Sequence, residues 1–435
     1  MNYSRRFLLF MIFWLLPCPS ALHAQGEISG TIYSRGEFSP LEIAFVRFQT
    51  KTHSAQEDSL ALQTTDVIKR DLTFSMYFMV LEEDLFSFTE AGDLNPLDQD
   101  IWLRTDAQFL LAGKLEIQST QLKIDAYLYD TFQRKRIFSQ SYRIPTPAWR
   151  KLAHEISNDI LRELTGEQGV FTTKLAFIKK TAAGKEISVC DYDGFNSQQV
   201  TFDKTINLSP RWSPDAKRII YTSYKANNPD LWELSLESGR AIKLVSFAGL
   251  NTAGSYSPKQ DLIALTLSVD NDPEVYVLNS NGRNAKRLTY NLGIDSSPTW
   301  SPNGKQIAFT SDRIGTPQVY VMDSDGSNVR RLTYGLNYCD SPAWSPKGDK
   351  IAFVVREESG FQIFTVDITG ENLSKLTYMG DNENPGWSPD GYHLVFASNR
   401  TGQLEIYTMN WDGSNQTKVT VGGNNSSPAW SPLYR

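Results

Sequence analysis

Few residues in this chain are equipped for covalent chemistry. Four histidines and three cysteines are spread over 435 residues, and Cys18 and His23 fall within the first 24. Serine hydrolases present their nucleophile on an elbow of the form G-x-S-x-G, followed by Asp and His. No such elbow occurs here. His154 lies in a helix-patterned stretch near its polar edge and is expected to be a solvated surface residue. His393 opens a strand, where a structural role is expected. No spacing suggests a zinc site. Asp323-Ser324-Asp325-Gly326-Ser327-Asn328 matches the first half of a calcium loop. The twelfth position of such a loop needs a bidentate glutamate, and Tyr334 stands there, so a hairpin turn is the better reading. No catalytic, cofactor-binding or metal-binding residue is therefore expected. The remaining candidates are polar: Asp340, Asp381, Asn382, Glu383 and Asn424 all precede a recurrent Ser-Pro-x-Trp element. They are expected to gather at one mouth of a channel, either as solvated turn residues or in a partner or cation site.

That element organises the chain. Trp212-Ser213-Pro214 recurs at Tyr256, Trp300, Trp344, Trp387 and Trp430, and the prolines are 44, 44, 44, 43 and 43 residues apart. A period near 44 with about four short strands per unit is the signature of a propeller blade. Pro302-Asn303-Gly304 and Asp325-Gly326 read as tight turns. Between them fall strand A at the Trp, B at Gln306 to Ser311, C at Gln318 to Asp323 and D at Val329 to Thr333. The recurring Trp is expected to pack between neighbouring blades. The last unit stops after strand A. The missing strands precede the first motif, at Leu175 to Ile178, Ile187 to Cys190 and Gln199 to Thr201. Pairing the two partial units closes a ring of six, which removes open strand edges.

Ahead of the repeats lies a different composition. Arg5 and Arg6, the apolar run Phe7 to Leu16 and the small residues up to Ala24 read as a signal peptide, 1–24. Cys18 raises a lipoprotein alternative, with Pro17 where a small residue is wanted. Loss of the signal takes the net charge from −6 to −8, since Arg5 and Arg6 leave and no acid does. An acidic surface argues against nucleic acid as a partner. Residues 25–165 read as a small α/β domain with a mixed sheet. Ile43 to Val46 and Tyr77 to Val80 are strands, with a helix over Leu60 to Leu72 between them and a loop at Ala91 to Asp100. Ala107 to Leu111 is a strand ended by Gly113. Lys123 to Tyr129 pairs with Ile137 to Tyr142, and a helix over Pro147 to Leu164 is stopped by Gly166. Thr165 to Gly169 reads as a short hinge into a propeller spanning 170–435. The fold class is thus α+β with two domains. Cys190 and Cys339 lie in different blades and are expected to be free and buried.

The order of signal, α/β domain and six W-S-P-D-G-type blades resembles the TolB family, periplasmic propeller proteins of the Tol–Pal system. Ile43-Ala44-Phe45-Val46, Ala107 to Gly113, Tyr127 to Asp130, Ala153-His154-Glu155-Ile156-Ser157 and Leu164-Thr165-Gly166-Glu167 extend the resemblance over the first domain. It implies a non-catalytic, monomeric periplasmic protein without cofactor. It would dock the peptidoglycan-associated lipoprotein Pal and communicate with TolA and other Tol proteins, supporting envelope integrity and cell division. The Pal-contact positions implied by the family are Leu250, Ala253 and Ser296. Asp340, Glu383 and Asn384 are candidates on the same loops. Leu250 stands where the family often has His. Gln25, Gly26, Glu27 and Ile28 would begin a partner-linked switch tail. A propeller hydrolase or lyase would need acids or a metal at the channel mouth, and a carbohydrate-binding propeller would need exposed aromatics there.

Overall fold

The structure is a computed structural model that describes residues 39–81 and 107–433. The expected signal, the tail Gln25 to Ile28 and the loop Ala91 to Asp100 lie outside the described residues. The first layer is a sheet in the order β3-β1-β4-β5-β6, with β1 at Leu41–Phe45, β3 at Phe78–Val80, β4 at Phe109–Gln118, β5 at Gln121–Asp130 and β6 at Lys135–Pro145; the short β2, Gln49–Thr50, pairs with β4 beside this path. Its β3-β1-β4 half is parallel and its β4-β5-β6 half antiparallel. A parallel pair needs a crossover, and helix α1 at Ala55–Phe74 supplies it between β1 and β3. Helix α2, Trp149–Thr165, follows β6 and ends on Gly166 at φ 76°. A left-handed residue at that point closes the last turn, and only glycine takes it freely.

The sheet corrects one expectation. Strand β4 does not end at Gly113 but runs through it to Gln118. A Cβ at Gly113 would stand 2.3 Å from the Asp125 carbonyl oxygen and 2.5 Å from the Phe48 ring. Glycine is there for close approach of neighbours, not as a stop.

Residues 174–430 form six four-stranded antiparallel sheets. The third blade contains Asp295–Trp300, Gln306–Ser311, Gln318–Asp323 and the short Arg330–Arg331. The sixth is mixed: Asn425–Trp430 pairs with Lys174–Lys180, which pairs with Lys185–Asp191 and then Gln198–Gln199. The ring is closed by chain segments 257 residues apart, where the Lys174 N–H donates to Ser431 Oγ at 3.0 Å.

Apolar clusters straddle pairs of neighbouring blades rather than filling single ones. Ile307, Phe309 and Trp300 of the third blade pack with Ala264, Val275 and Val277 of the second. The indole N–H of Trp300 donates to the Ser255 carbonyl of the preceding blade, as Trp387 does to Ala343 and Trp212 to Ala429. These three indoles thus fill gaps between blades and spend their one polar atom on the neighbour's inner strand. Cys190 and Cys339 are free and buried.

The largest cluster crosses from the α/β domain into the sixth and fifth blades. Ile68, Leu72, Leu161, Val170 and Phe171 belong to the same core as Tyr192, Val395 and Trp430.

Candidate functional site

Strand A is the innermost strand of each blade, and its first residues stand at one end of the central channel. The channel encloses about 380 Å³ and is lined by strand A from all six blades. Each strand A is interrupted at the same place by a bulge, as between Ser296 and Thr299 or Glu383 and Gly386. The bulged residues Ser209, Ala253, Ser297, Ser341, Asn384 and Ser427 have φ of 50–54°. A non-glycine residue rarely enters this region, and six equivalent entries make it a built feature of the mouth.

The loops from strand D to strand A are held from beneath. Glu186, Glu274, Gln318, Gln362 and Glu405 stand within the first three residues of strand C and are buried. Glu186 accepts from Thr201 Oγ1 at 2.6 Å, the Lys204 N–H at 2.7 Å and Asn207 Nδ2 at 3.1 Å. Glu405 accepts from Thr420 Oγ1 at 2.6 Å, the Gly423 N–H at 2.7 Å and Asn425 Nδ2 at 2.7 Å. In the third blade Gln318 takes Thr333 Oγ1 at 2.8 Å and gives its amide to the Leu336 carbonyl at 2.9 Å. Buried polar groups must be satisfied, and here that requirement fixes the loop backbone. The loop tips remain uncovered: Phe202, Phe247, Tyr290, Tyr334, Tyr378 and Val421, one per loop, are exposed, and Leu292 is 98 % exposed. Arg287 and Arg331 lie 4.8 Å from the ring centres of Tyr290 and Tyr334 and brace them.

The candidate residues fall unevenly on this frame. Ala253 and Asn384 line the channel. Ser296, Asp340 and Glu383 stand one residue before a bulge and are half-buried. Asp340 accepts from Thr310 Oγ1 at 2.8 Å and from the Ser341 N–H at 2.6 Å. Burial, with Asp381 adding repulsion, pushes the Glu383 carboxyl above its ordinary range. Leu250 is exposed in its loop, its N–H bonded to Ser268 Oγ at 2.8 Å. Asn424 is exposed, and Asp381 is tied to Asn399 Nδ2 at 2.8 Å. Asn382 is not a mouth residue. It is fully buried, and its amide bonds Gln362 at 3.0 Å and the Met379 and Gly380 carbonyls at 3.1 Å.

The opposite end of the propeller holds a cluster that sequence reasoning missed. His154 is not solvated but 3 % exposed, with Nδ1 2.8 Å from Asp71 Oδ2. Asp71 Oδ1 accepts from the Tyr192 hydroxyl at 2.6 Å, and Arg150 pairs with Asp193. Ligand atoms of Asp71, His154 and Asp193 lie within 4.8 Å of one another. The Arg150 guanidinium on Asp193 and the Tyr192 hydroxyl on Asp71 already complete these carboxylates, so the group reads as a salt-bridged seam. His393 has the structural role expected of it. Its Nε2 is 2.8 Å from the Phe74 carbonyl, and its ring stacks on Phe74 at 4.0 Å. The turn at Asp323 to Asn328 is a hairpin, in which the Asp323 N–H bonds the Ser327 carbonyl at 2.9 Å and Asp325 accepts from Ser327.

Among the described residues the histidine rings bond Thr50, Asp71 and the Phe74 carbonyl, none to a serine or cysteine. Burial pushes the Cys190 thiol up to about 12 and that of Cys339 up to about 11.

Fold and mouth together define a class: an amino-terminal α/β domain fused to a six-bladed propeller with an uncovered loop face. The family model for the TolB beta propeller domain matches residues 161–434, and that for the TolB amino-terminal domain matches residues 33–137. The chain belongs to the TolB family. It is 33% identical over 210 residues to the Tol-Pal system protein TolB of Roseobacter denitrificans, covering 47% of each chain. It is 34% identical over 252 residues to that of Desulfosudis oleivorans, covering 57% of this chain and 56% of the other. The match thus spans about half the length of these curated relatives. The crystal structure of TolB from Acinetobacter baumannii superimposes with a TM-score of 0.80 at 27% identity, over 91% of this chain and 97% of that one.

Proposed function

We propose that this protein is a periplasmic, non-catalytic component of the Tol–Pal system that docks Pal on the loop face of its propeller. The observation that carries the reading is the ring of exposed apolar side chains around an open channel mouth, on loops whose backbones are fixed from below. A protein partner needs a desolvated apolar anchor with a polar rim. Leu250 offers the anchor, with Ala253 and Ser296 beside it, and Asp340, Glu383 and Asn384 furnish the rim. The names of the relatives support membership of the system. No described helix is long and apolar enough to cross a membrane, in keeping with peripheral association. The linkage to TolA and other Tol proteins, through a tail beginning at Gln25, Gly26, Glu27 and Ile28, and the role in envelope integrity and division belong to the same reading.

Titration calorimetry with purified Pal tests it. Leu250→Asp and Ser296→Arg should each weaken binding by roughly 1–4 kcal/mol with little change in melting temperature. Charge changes at the hairpin tips Asp325 and Asp412 should leave binding unaltered. Loss of binding at the tips with none at the loops would reverse the assignment of the face.

A further inference from the structure

The residue just before the aromatic of each strand A lines the channel. In five blades it is Ser255, Thr299, Ala343, Gly386 or Ala429, and in the first it is Arg211. The repeat therefore has room for a small side chain at this level and receives one large cation. No aspartate or glutamate lines the channel among the described residues, so Arg211 is the one charged group there. Its Nη1 donates to the Pro210 carbonyl at 2.9 Å, and it forms no ion pair with a carboxylate among the described residues. Burial alone drives its basicity below the usual guanidinium range. A half-buried cation without a counter-charge leaves its guanidinium open to a ligand, and a guanidinium offers a planar fork suited to oxyanions. Around it stand the hydroxyl-bearing Ser209, Ser255 and Thr299 and the amide of Asn384.

We infer that the central channel is a binding site for one free small oxyanion, of the phosphate or carboxylate class, held by the Arg211 guanidinium among channel hydroxyls. The anion supplies the charge that the lining lacks, in a charge-assisted and bidentate contact. The same unpaired cation repels metal ions from this level of the channel. The site does not depend on what covers the mouth.

Calorimetric titration of the purified chain with inorganic phosphate at low ionic strength is the test. The expected result is saturable binding at one site, weakened at least about tenfold in Arg211→Ala and partly retained in Arg211→Lys. Arg211→Ala should fold, because the equivalent residue is already alanine in two blades, and its melting curve without phosphate checks this. Arg211→Gln provides a second neutral variant should the alanine form melt early. Absence of saturable phosphate binding to the wild-type chain overturns the proposal. So does equal binding by the arginine and neutral forms, or one-site binding of calcium chloride in place of phosphate.

Discussion

The two faces of the propeller are made from the same repeat and have opposite fates. On the loop face, buried Glu or Gln side chains fasten five of the six strand D to strand A connections, all but that of Leu250, and the apolar tips stay in water. On the other face, the hairpin at Tyr192 and Asp193 and the turn at Asp390 to His393 are taken up by the α/β domain. Tyr77 meets Tyr392 edge to face at 5.6 Å, and Arg150 lies 3.5 Å from the centre of the Phe195 ring. The tips of two adjoining blades are thus a gripping surface for the α/β domain. A repeat can carry one satisfied face and one unsatisfied face because each end of a strand answers to different side chains. Within the propeller, apolar exposure is greatest on the loop face, where Phe202, Tyr290, Leu292 and Val421 are more than 70 % exposed, whereas Trp411 on the hairpin face is 42 % exposed.

The largest disturbance of this arrangement comes from removing what both faces share. Deleting Ser427 to Arg435 takes away strand A of the mixed blade, together with Trp430, whose indole donates to Thr173 Oγ1 at 2.8 Å. Gel filtration should show self-association through the freed edges, and melting should shift far down. A monomer with unchanged melting would show that closure contributes little. Next, Asp71→Ala strands the buried His154 ring and Tyr192 hydroxyl. It should cost about 3–5 kcal/mol in denaturant unfolding, and a value under about 1 kcal/mol would place the seam among incidental contacts.

Acidity should separate the faces by sign. Burial pushes the Asp390 carboxyl upward, but hydrogen bonds and charge from His393 and contacts with Ser388 and Tyr392 outweigh it and hold the group below its ordinary 3.8. Its contribution is present above 3.8 and is lost as pH falls through the lower folded value. Glu383 on the loop face is raised above its ordinary 4.5, first by burial and then by Asp381. It favours the folded state most at low pH, and that contribution is lost as pH rises from 4.5 through the raised value. Melting curves over pH should therefore flatten on the acid side in Asp390→Asn and above 4.5 in Glu383→Gln. The reverse assignment would break the comparison. The smallest effect is expected from Tyr334→Ala, an exposed loop tip, at no more than about 0.5 kcal/mol of stability. A larger loss would mean that the corona is structural.

Much of this fold was legible in the residues, because period and turn chemistry repeat. Gln306–Ser311 and Gln318–Asp323 are the strands that alternation and the flanking Gly turns predict. Strand D is shorter than Val329 to Thr333, since the Thr333 hydroxyl, not its backbone, receives the Val319 N–H at 3.0 Å. A side chain replaces a ladder bond there, and alternation cannot show that. His154 was misread because its partners Asp71 and Asp193 come from other elements, and helix spacing reports only the helix's own faces. The loop sequence alone puts Asn382 with the mouth residues, whereas burial of the first residue of strand A appears only when the blades are stacked. Arg211 could have been found by aligning the six units, where it is the outlier at its position.

The mixed blade also sets a clock. Lys174 and Ser431 bond across 257 residues, so strands B, C and D of the sixth blade exist long before their strand A does. Contacts of such separation carry a large loop-closure cost and slow the final step of folding. Until that step the Lys174–Lys180 edge is unpaired, and Trp430 is missing from the core that joins the α/β domain to the ring. The strand Asn425–Trp430 thus completes both the circle and the join between the α/β domain and the ring.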